Sequence, residues 1–340
     1  MKFFPVIVLL ACFAWAACTA FEKSPPAQME FALGTVCTVN LYEDGSRSQY
    51  ASVFSRIRAI ERLMSGRLED SEVTRINRNA GIAPVRVSAD LVTVLERALY
   101  YAELSGGAFE PTVGPLTALW GIGTENERIP GEAEIAGALA LMDWRDLVVD
   151  REQGTAFLKR SGMALDLGAI AKGYAADEAA RLARENGVRR GIFDLGGNIL
   201  ALGSRGGKTD APWRIGVQDP LNDRGAYIGV LEVEDKSVVT SGVYERYFEA
   251  GGRRYHHILS SADGYPVHNG LLSVTIVTDL SIDADGLSTA VFALGYEKGR
   301  ALIESLSHTE AIFIFEDRRI RITEGLQAAF TLAGDDYVLQ

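Results

Sequence analysis

The chain has 340 residues, 47% hydrophobic and 9% aromatic, with 35 glycines, which is ample for one sizeable core in a loop-rich mixed α and β protein. Lys and Arg number 34 against 45 Asp and Glu, a formal net charge of -11, and no basic cluster interrupts that excess. Nucleic-acid binding by phosphate neutralisation is therefore excluded. A small anionic ligand stays compatible, because a bound divalent cation can reverse the local sign.

Lys2 followed by the apolar run Phe3 to Ala20 reads as a secretory signal, with an uncleaved membrane anchor as the alternative. Trp15-Ala-Ala-Cys18 resembles the cleavage box of bacterial lipoproteins. That assigns residues 1–18 to a signal peptide, Cys18 to lipidation and residues 19–28, with Ser24-Pro-Pro26, to a tether. The folded part then lies outside the cytoplasm. Cleavage leaves Cys37 as the single internal cysteine, so no disulfide forms within the chain and a buried, inert thiol is expected.

From Met29 onward the pattern alternates strands and helices without a linker, which predicts one domain over residues 29–340. Apolar alternation from Phe31 to Leu41, broken at Gly34-Thr35, predicts a strand. Ala51–Met64 carries the helical period, and a loop is expected over Asp70–Asn77. A second helix runs from about Ser88, a capping residue, to Leu104. Pro111 and Gly114-Pro115 forbid a plain helix or central strand through the first half of Ala108–Gly121. Pro130–Leu141 reads as a helix, followed by strands near 147–149 and 155–158. A strand ends near Asp166, and a helix follows it to Gly187. Strands are expected at 190–195, up to Leu202, at Trp213, at 237–241 and at Arg253–Leu259, where Gly251-Gly252 forms a hairpin tip. The fold class predicted is α+β, a single mixed domain of antiparallel sheets and packed helices.

Two stretches carry candidate chemistry. Asp166-Leu-Gly168-Ala169-Ile-Ala-Lys172 puts a glycine turn before a helix amino terminus and adds a fixed cation, which makes an anion site or a plain strand-to-helix connection. It lacks the spacing of a Walker loop. Late in the chain, Asp283-Ala-Asp285-Gly-Leu-Ser288-Thr289 opens a short helix that either acid can cap. Asp285 and Thr289 lie about one turn apart with Ser288 beside them, an oxygen-only set that suits magnesium or calcium and not zinc, or else simply an ordinary capped helix. His256 and His257 fall on opposite faces of their strand, so at most one of them faces a given site.

In order along the chain, Leu33-Gly-Thr35, Met64-Ser65, Ser71 to Asn77, Phe109 to Gly121, Asp166 to Asp177, Gly196-Gly-Asn198, Thr240-Ser-Gly242, His257 and Ala284 to Gly295 resemble the ApbE family, the FAD:protein FMN transferases exported as bacterial lipoproteins. The resemblance implies a fold related to the T-fold class. It also implies a Mg2+-dependent enzyme on the periplasmic side of the inner membrane, held by a lipid anchor. Such an enzyme passes FMN from FAD to a threonine or serine hydroxyl of an acceptor redox protein and releases AMP. The metal ligands it implies are Asp285, Thr289, Ser288 and the Ala169 carbonyl. The FAD contacts it implies are Leu33, Arg67, Ala108, Phe109, Glu110, Asp166, Lys172, Ile258 and Leu259. His257 is the candidate base and Asp285 the second candidate catalytic residue. Leu33 replaces the family's usual methionine, Glu110 its usual aspartate, and Ser260-Ser261-Ala-Asp-Gly264 its usual Asp-Pro. The alternatives are an FAD pyrophosphatase yielding FMN and AMP, and a flavin-binding lipoprotein without chemistry.

Overall fold

The structure, a computed structural model, describes residues 26–206 and 211–340. The signal segment, Cys18 and the tether as far as Pro25 lie outside the described residues. No described helix is long and apolar enough to cross a membrane.

Among the described residues a nine-stranded sheet forms the centre, and its strands lie side by side in chain order. It begins with Gln28–Ala32 and Thr35–Asn40 and passes through Gly191–Leu195, Asn198–Leu202, Lys236–Gly242 and Leu271–Thr278. It ends with Glu310–Phe315, Arg319–Ile322 and Val338–Leu339. Neighbours pair antiparallel except the last two. The predicted first strand is thus a hairpin, with Phe31 opposite Val36 and Leu33 and Gly34 at positive φ in the turn.

Both faces of this sheet are covered. Val239, Val274, Ile276 and Phe313 point to the face packed by the helices Arg47–Met64, Ala171–Glu185 and Ser281–Leu294. Their neighbours Val238, Val277, Ile312 and Ile314 join Trp213, Ile215, Leu231 and Phe330 on the other face. Leu271–Thr278 is accordingly buried at every position, which explains why it reads as a continuous apolar run rather than an alternating one. A smaller cluster around Leu116, Trp120 and Ile135 seats two short helices against the hairpin Tyr247–Ala250 and Arg253–His256.

Further elements differ from the sequence reading. The first long helix starts at Arg47, because Ser46 and Gln49 form a capping box. The expected loop after Asp70 is a helix, Glu72–Arg78, capped by Ser71 onto the amide of Thr74. No regular strand precedes Asp166. The segment pairs with the stretch from Pro111 to Gly114, whose proline has no amide to donate, so only a bridge at Val113 and Ala164 forms. The late helix runs Ser281–Leu294, and neither Asp283 nor Asp285 caps it. Its first amides are taken by Asp177 of the helix Ala171–Glu185, at 2.7 Å from Ser281 N and 2.8 Å from Ile282 N. Asp283 instead pairs bidentately with Arg97, at 2.7 and 2.6 Å.

Gly173 sets how closely these two helices approach. A Cβ there would overlap the carbonyl oxygen of Ser281 and come within 2.7 Å of the Cα of Ile282. Gly173→Ala is expected to lose about 1–3 kcal/mol from overpacking. Gly137→Ala, on an exposed helix position with nothing within 4 Å of the new methyl group, should gain about 0.5–1 kcal/mol. Urea unfolding of the two variants reads both signs.

The predicted strand Arg253–Leu259 stops at His256, whose ring turns inward. Its Nε2 donates to the Val267 carbonyl at 2.9 Å and its Nδ1 accepts from Ile258 N at 3.3 Å, a fully used neutral imidazole. Burial pushes its pKa down to about 4, helped by His268 and Arg254 and opposed by the Val267 bond. Between pH 6.5 and about 4 the unfolded chain therefore takes up a proton that the folded chain refuses, and acidification weakens the fold. The contribution reaches up to about 3 kcal/mol. His256→Gln should flatten that part of a stability-against-pH profile measured by urea unfolding.

Candidate active site

The helix pair brings the two candidate stretches into contact. Lys172 Nζ donates to the Gly168 carbonyl at 2.9 Å and lies 3.3 Å from Asp285 Oδ1, while Asp285 Oδ2 accepts from Gly173 N at 2.9 Å. Asp285 is 3% exposed, so its charge is held by these two donors in place of water. In a continuous helix Gly173 N would bond the Ala169 carbonyl. Here it bonds Asp285, and no donor among the described residues reaches that carbonyl.

One helical turn beyond Asp285 a set of hydroxyls converges. Ser241 Oγ, from the central strand Lys236–Gly242, lies 2.9 Å from Ser288 Oγ and 3.3 Å from Thr289 Oγ1. Ser288 is fully buried and also donates to the Asp285 carbonyl at 2.9 Å, so its hydroxyl is already committed within the protein. Thr289 is only partly buried. Among the described residues no group of three or more His, Cys, Asp or Glu side chains is placed to hold a metal. One carboxylate, an unbonded carbonyl and a hydroxyl make a donor set that fits a hard cation retaining other oxygen ligands.

Asp166 accepts from Gly168 N at 2.9 Å and from Thr117 Oγ1 at 3.0 Å, which ties the glycine turn to the helix Gly114–Trp120. His257, unlike His256, is only partly buried. Its Nδ1 and its own amide both meet the Arg246 carbonyl, at 3.2 and 3.1 Å. The proton therefore resides on Nδ1 and leaves Nε2 as a free acceptor. Crowding by protein atoms, with the charges of Arg246 and Lys172 nearby, holds this imidazole well below its ordinary pKa.

Arg246 was not singled out by the sequence reading. Its guanidinium has neither an ion pair nor a hydrogen bond among the described residues, and it lies within range of the charges of Asp166 and Arg67. Nothing in the pattern Tyr244-Glu-Arg246 marks it. Ser241 lies within the stretch Thr240-Ser-Gly242 that carries the resemblance, yet the sequence assigns it no role, although its place at the end of an inner strand next to Gly242 is the available signal.

Other predicted residues serve the walls. Glu110 spends one oxygen on Thr112 N and Oγ1, at 2.9 and 2.7 Å, and the other on Trp144 N at 3.2 Å, and burial raises its pKa. Phe109 and Ile258 are buried, and Leu259 packs with the Trp120 cluster. Ser261 Oγ donates to the Gly107 carbonyl at 2.7 Å and Trp120 Nε1 to the Gly264 carbonyl at 2.8 Å, so the Ser260–Gly264 loop is tied to the Ala108–Glu110 wall. Leu33 sits at φ 54 in the edge hairpin, and no hydrogen bond or ion pair among the described residues joins it to the Lys172–Asp285 group.

The family model described as "ApbE family" matches residues 33–313. A protein named FAD:protein FMN transferase from Treponema pallidum (strain Nichols) is 38% identical over 329 residues, covering 92% of this chain and 91% of that one. One of the same name from Klebsiella pneumoniae (strain 342) is 37% identical over 305 residues, covering 90% and 94%. Among solved structures, the ApbE protein of Thermotoga maritima superposes with a TM-score of 0.81 at 33% identity, covering 89% of this chain and 98% of its own. The apo flavinyl transferase ApbE of Pseudomonas stutzeri gives 0.77 at 30% identity, covering 91% and 97%. With a matched model across most of its length and relatives above 30% identity over nine-tenths of it, the chain belongs to the ApbE family.

Proposed function

We infer that this protein is an FAD:protein FMN transferase, an enzyme that attaches FMN to a hydroxyl of an acceptor protein. The observation that carries this reading is the contact between Lys172 and Asp285, which joins an anion-binding helix start to a hard-cation donor set in one cleft.

Asp285, Thr289 and the Ala169 carbonyl would hold a Mg2+ ion, and Ser241 and Ser288 would keep Thr289 in place. When bound, that ion supplies charge neutralisation to phosphoryl oxygens. Lys172 and Arg246 add fixed positive charge for the rest of the diphosphate, in a cleft where water is partly excluded. His257 Nε2 takes the proton of the acceptor threonine or serine. The hydroxyl oxygen forms a bond to the FMN phosphorus, the bond from that phosphorus to the bridging oxygen breaks, and AMP leaves with the electron pair. The depressed basicity of His257 in the free protein keeps it unprotonated at neutral pH. The negative diphosphate raises that basicity again on binding. Lipid attachment at Cys18 and a position on the periplasmic side of the inner membrane belong to the same proposal, supported by the character of residues 1–18.

Incubation with FAD, MgCl2 and a purified acceptor should make the acceptor heavier by one FMN and release one AMP per transfer, read by intact-mass spectrometry and chromatography. Asp285→Ala should slow this by about 10²- to 10³-fold. Undiminished transfer by that variant overturns the metal assignment, and free FMN in place of labelled acceptor turns the reading to hydrolysis. Cys18→Ser should move the protein from the membrane to the soluble fraction.

A further inference from the structure

The start of the helix that bears Asp285 has no cap of its own. Its capping position is Leu280, which offers no side-chain acceptor. The free amides of Ser281 and Ile282 are bonded instead by the carboxylate of Asp177, five residues after Lys172 on the neighbouring helix. One turn further along, the exchange runs the other way, as Asp285 accepts from Gly173 N. Each helix thus lends a carboxylate to main-chain amides of the other, and the two bonds to Asp177 and the one to Asp285 fix both the axial register and the rotation of the pair. Burial raises the Asp177 carboxyl to about 7, with Asp283 and Glu178 adding to the effect and the two amides opposing it. The fold therefore keeps a costly buried acid on the neighbouring helix, although a serine or asparagine in place of Leu280 would cap the helix locally.

We propose that Asp177 is a positioning residue for the reaction: by holding the first turn of the Ser281–Leu294 helix, it sets where Asp285 and Thr289 present their oxygens to the cation. This rests on the cation reading of the site given above. Asp177 itself lines a cavity of about 600 Å³ with Arg97, Tyr100, Tyr174 and Ile282 among others, a lining that includes none of Lys172, Asp285 and Thr289, so it acts through the helix. Arg97 steadies the same turn from a third helix, Ala89–Leu104, through Asp283. That pair meets the side chain of Asp283 and not the amides, so it restrains the register less.

The test uses the full protein and Asp177→Asn, which keeps the size but removes the charge and one acceptor. MgCl2 affinity is measured by calorimetry without substrate, alongside the MgCl2 concentration giving half-maximal FMN transfer, the KM for FAD and the melting temperature. Both magnesium constants should weaken by about tenfold or more, in the range seen for residues that orient metal ligands, while the KM for FAD stays within twofold. A lowered melting temperature with both magnesium constants within twofold of the parent overturns the proposal and leaves Asp177 a structural cap. If the parent itself binds no magnesium, the cation reading fails and the proposal goes with it. Should Asp177→Asn not fold, Arg97→Gln loosens the same turn and is read by the same two constants, with a smaller weakening of both expected and no change in either overturning the proposal.

Discussion

The distance between two helices governs this site. Only a residue without a side chain lets the helix Ala171–Glu185 lie against the main chain of Ser281 and Ile282, and Gly173 supplies that residue. The closeness has two effects at once. It lets a main-chain amide, a rigid donor that costs no side-chain entropy, reach Asp285, and it draws Lys172 to the same carboxylate. The amide so engaged is the one that would otherwise bond the Ala169 carbonyl, so a single tight crossing both orients the acid and frees a neutral oxygen beside it. Gly286 repeats the device on the far side of Asp285, where a Cβ would come within 2.6 Å of the Tyr101 ring.

The charge distribution follows a similar economy of place. Most of the acidic excess is spread over exposed pairs and ladders, such as Arg181 with Glu178 and Glu185, or Arg300 with Glu304. Such pairs contribute little individually to stability. Around Lys172 the pattern differs: Arg246 has no ion pair among the described residues, Lys172 shares Asp285 with a backbone amide, and the imidazole of His257 is kept neutral. Lys172 and Arg246 thus stand as fixed positive charges beside the acids Asp285 and Asp166 in a protein of strongly negative overall charge.

Much of this was legible in the sequence because the signals are local. The capping Ser88, the terminating Gly187, the hairpin tip at Gly251-Gly252 and the opposite faces of His256 and His257 all follow from rules that act over a few residues. The two chemical stretches were also visible, since the acid, hydroxyl and lysine spacings repeat at one turn of helix. What could not be read depends on partners far away in the chain. The late helix was given a local cap at Asp283 or Asp285 because an acid before an apolar run is the ordinary sign, whereas the cap comes from Asp177, 104 residues earlier. The strand expected before Asp166 failed for a comparable reason: its only available neighbour contains a proline. Arg246 was missed because a lone arginine acquires meaning only from what does not pair with it, and that is a property of the assembled cleft.

The spacing of those partners bears on how the molecule comes into being. Gly173 and Asp285 are 112 positions apart, and of the strands between them Gly191–Leu195, Asn198–Leu202, Lys236–Gly242 and Leu271–Thr278 lie in the central sheet in chain order. Joining the lysine helix to its counterpart therefore closes a long loop, and the entropic cost of that closure is offset by the packing of the strands and helices in between. A polypeptide ending before Asp285 carries Lys172 and Gly173 without the carboxylate that both of them meet. The contact between Lys172, Gly173 and Asp285 is thus a property of the assembled domain and of no shorter part of it.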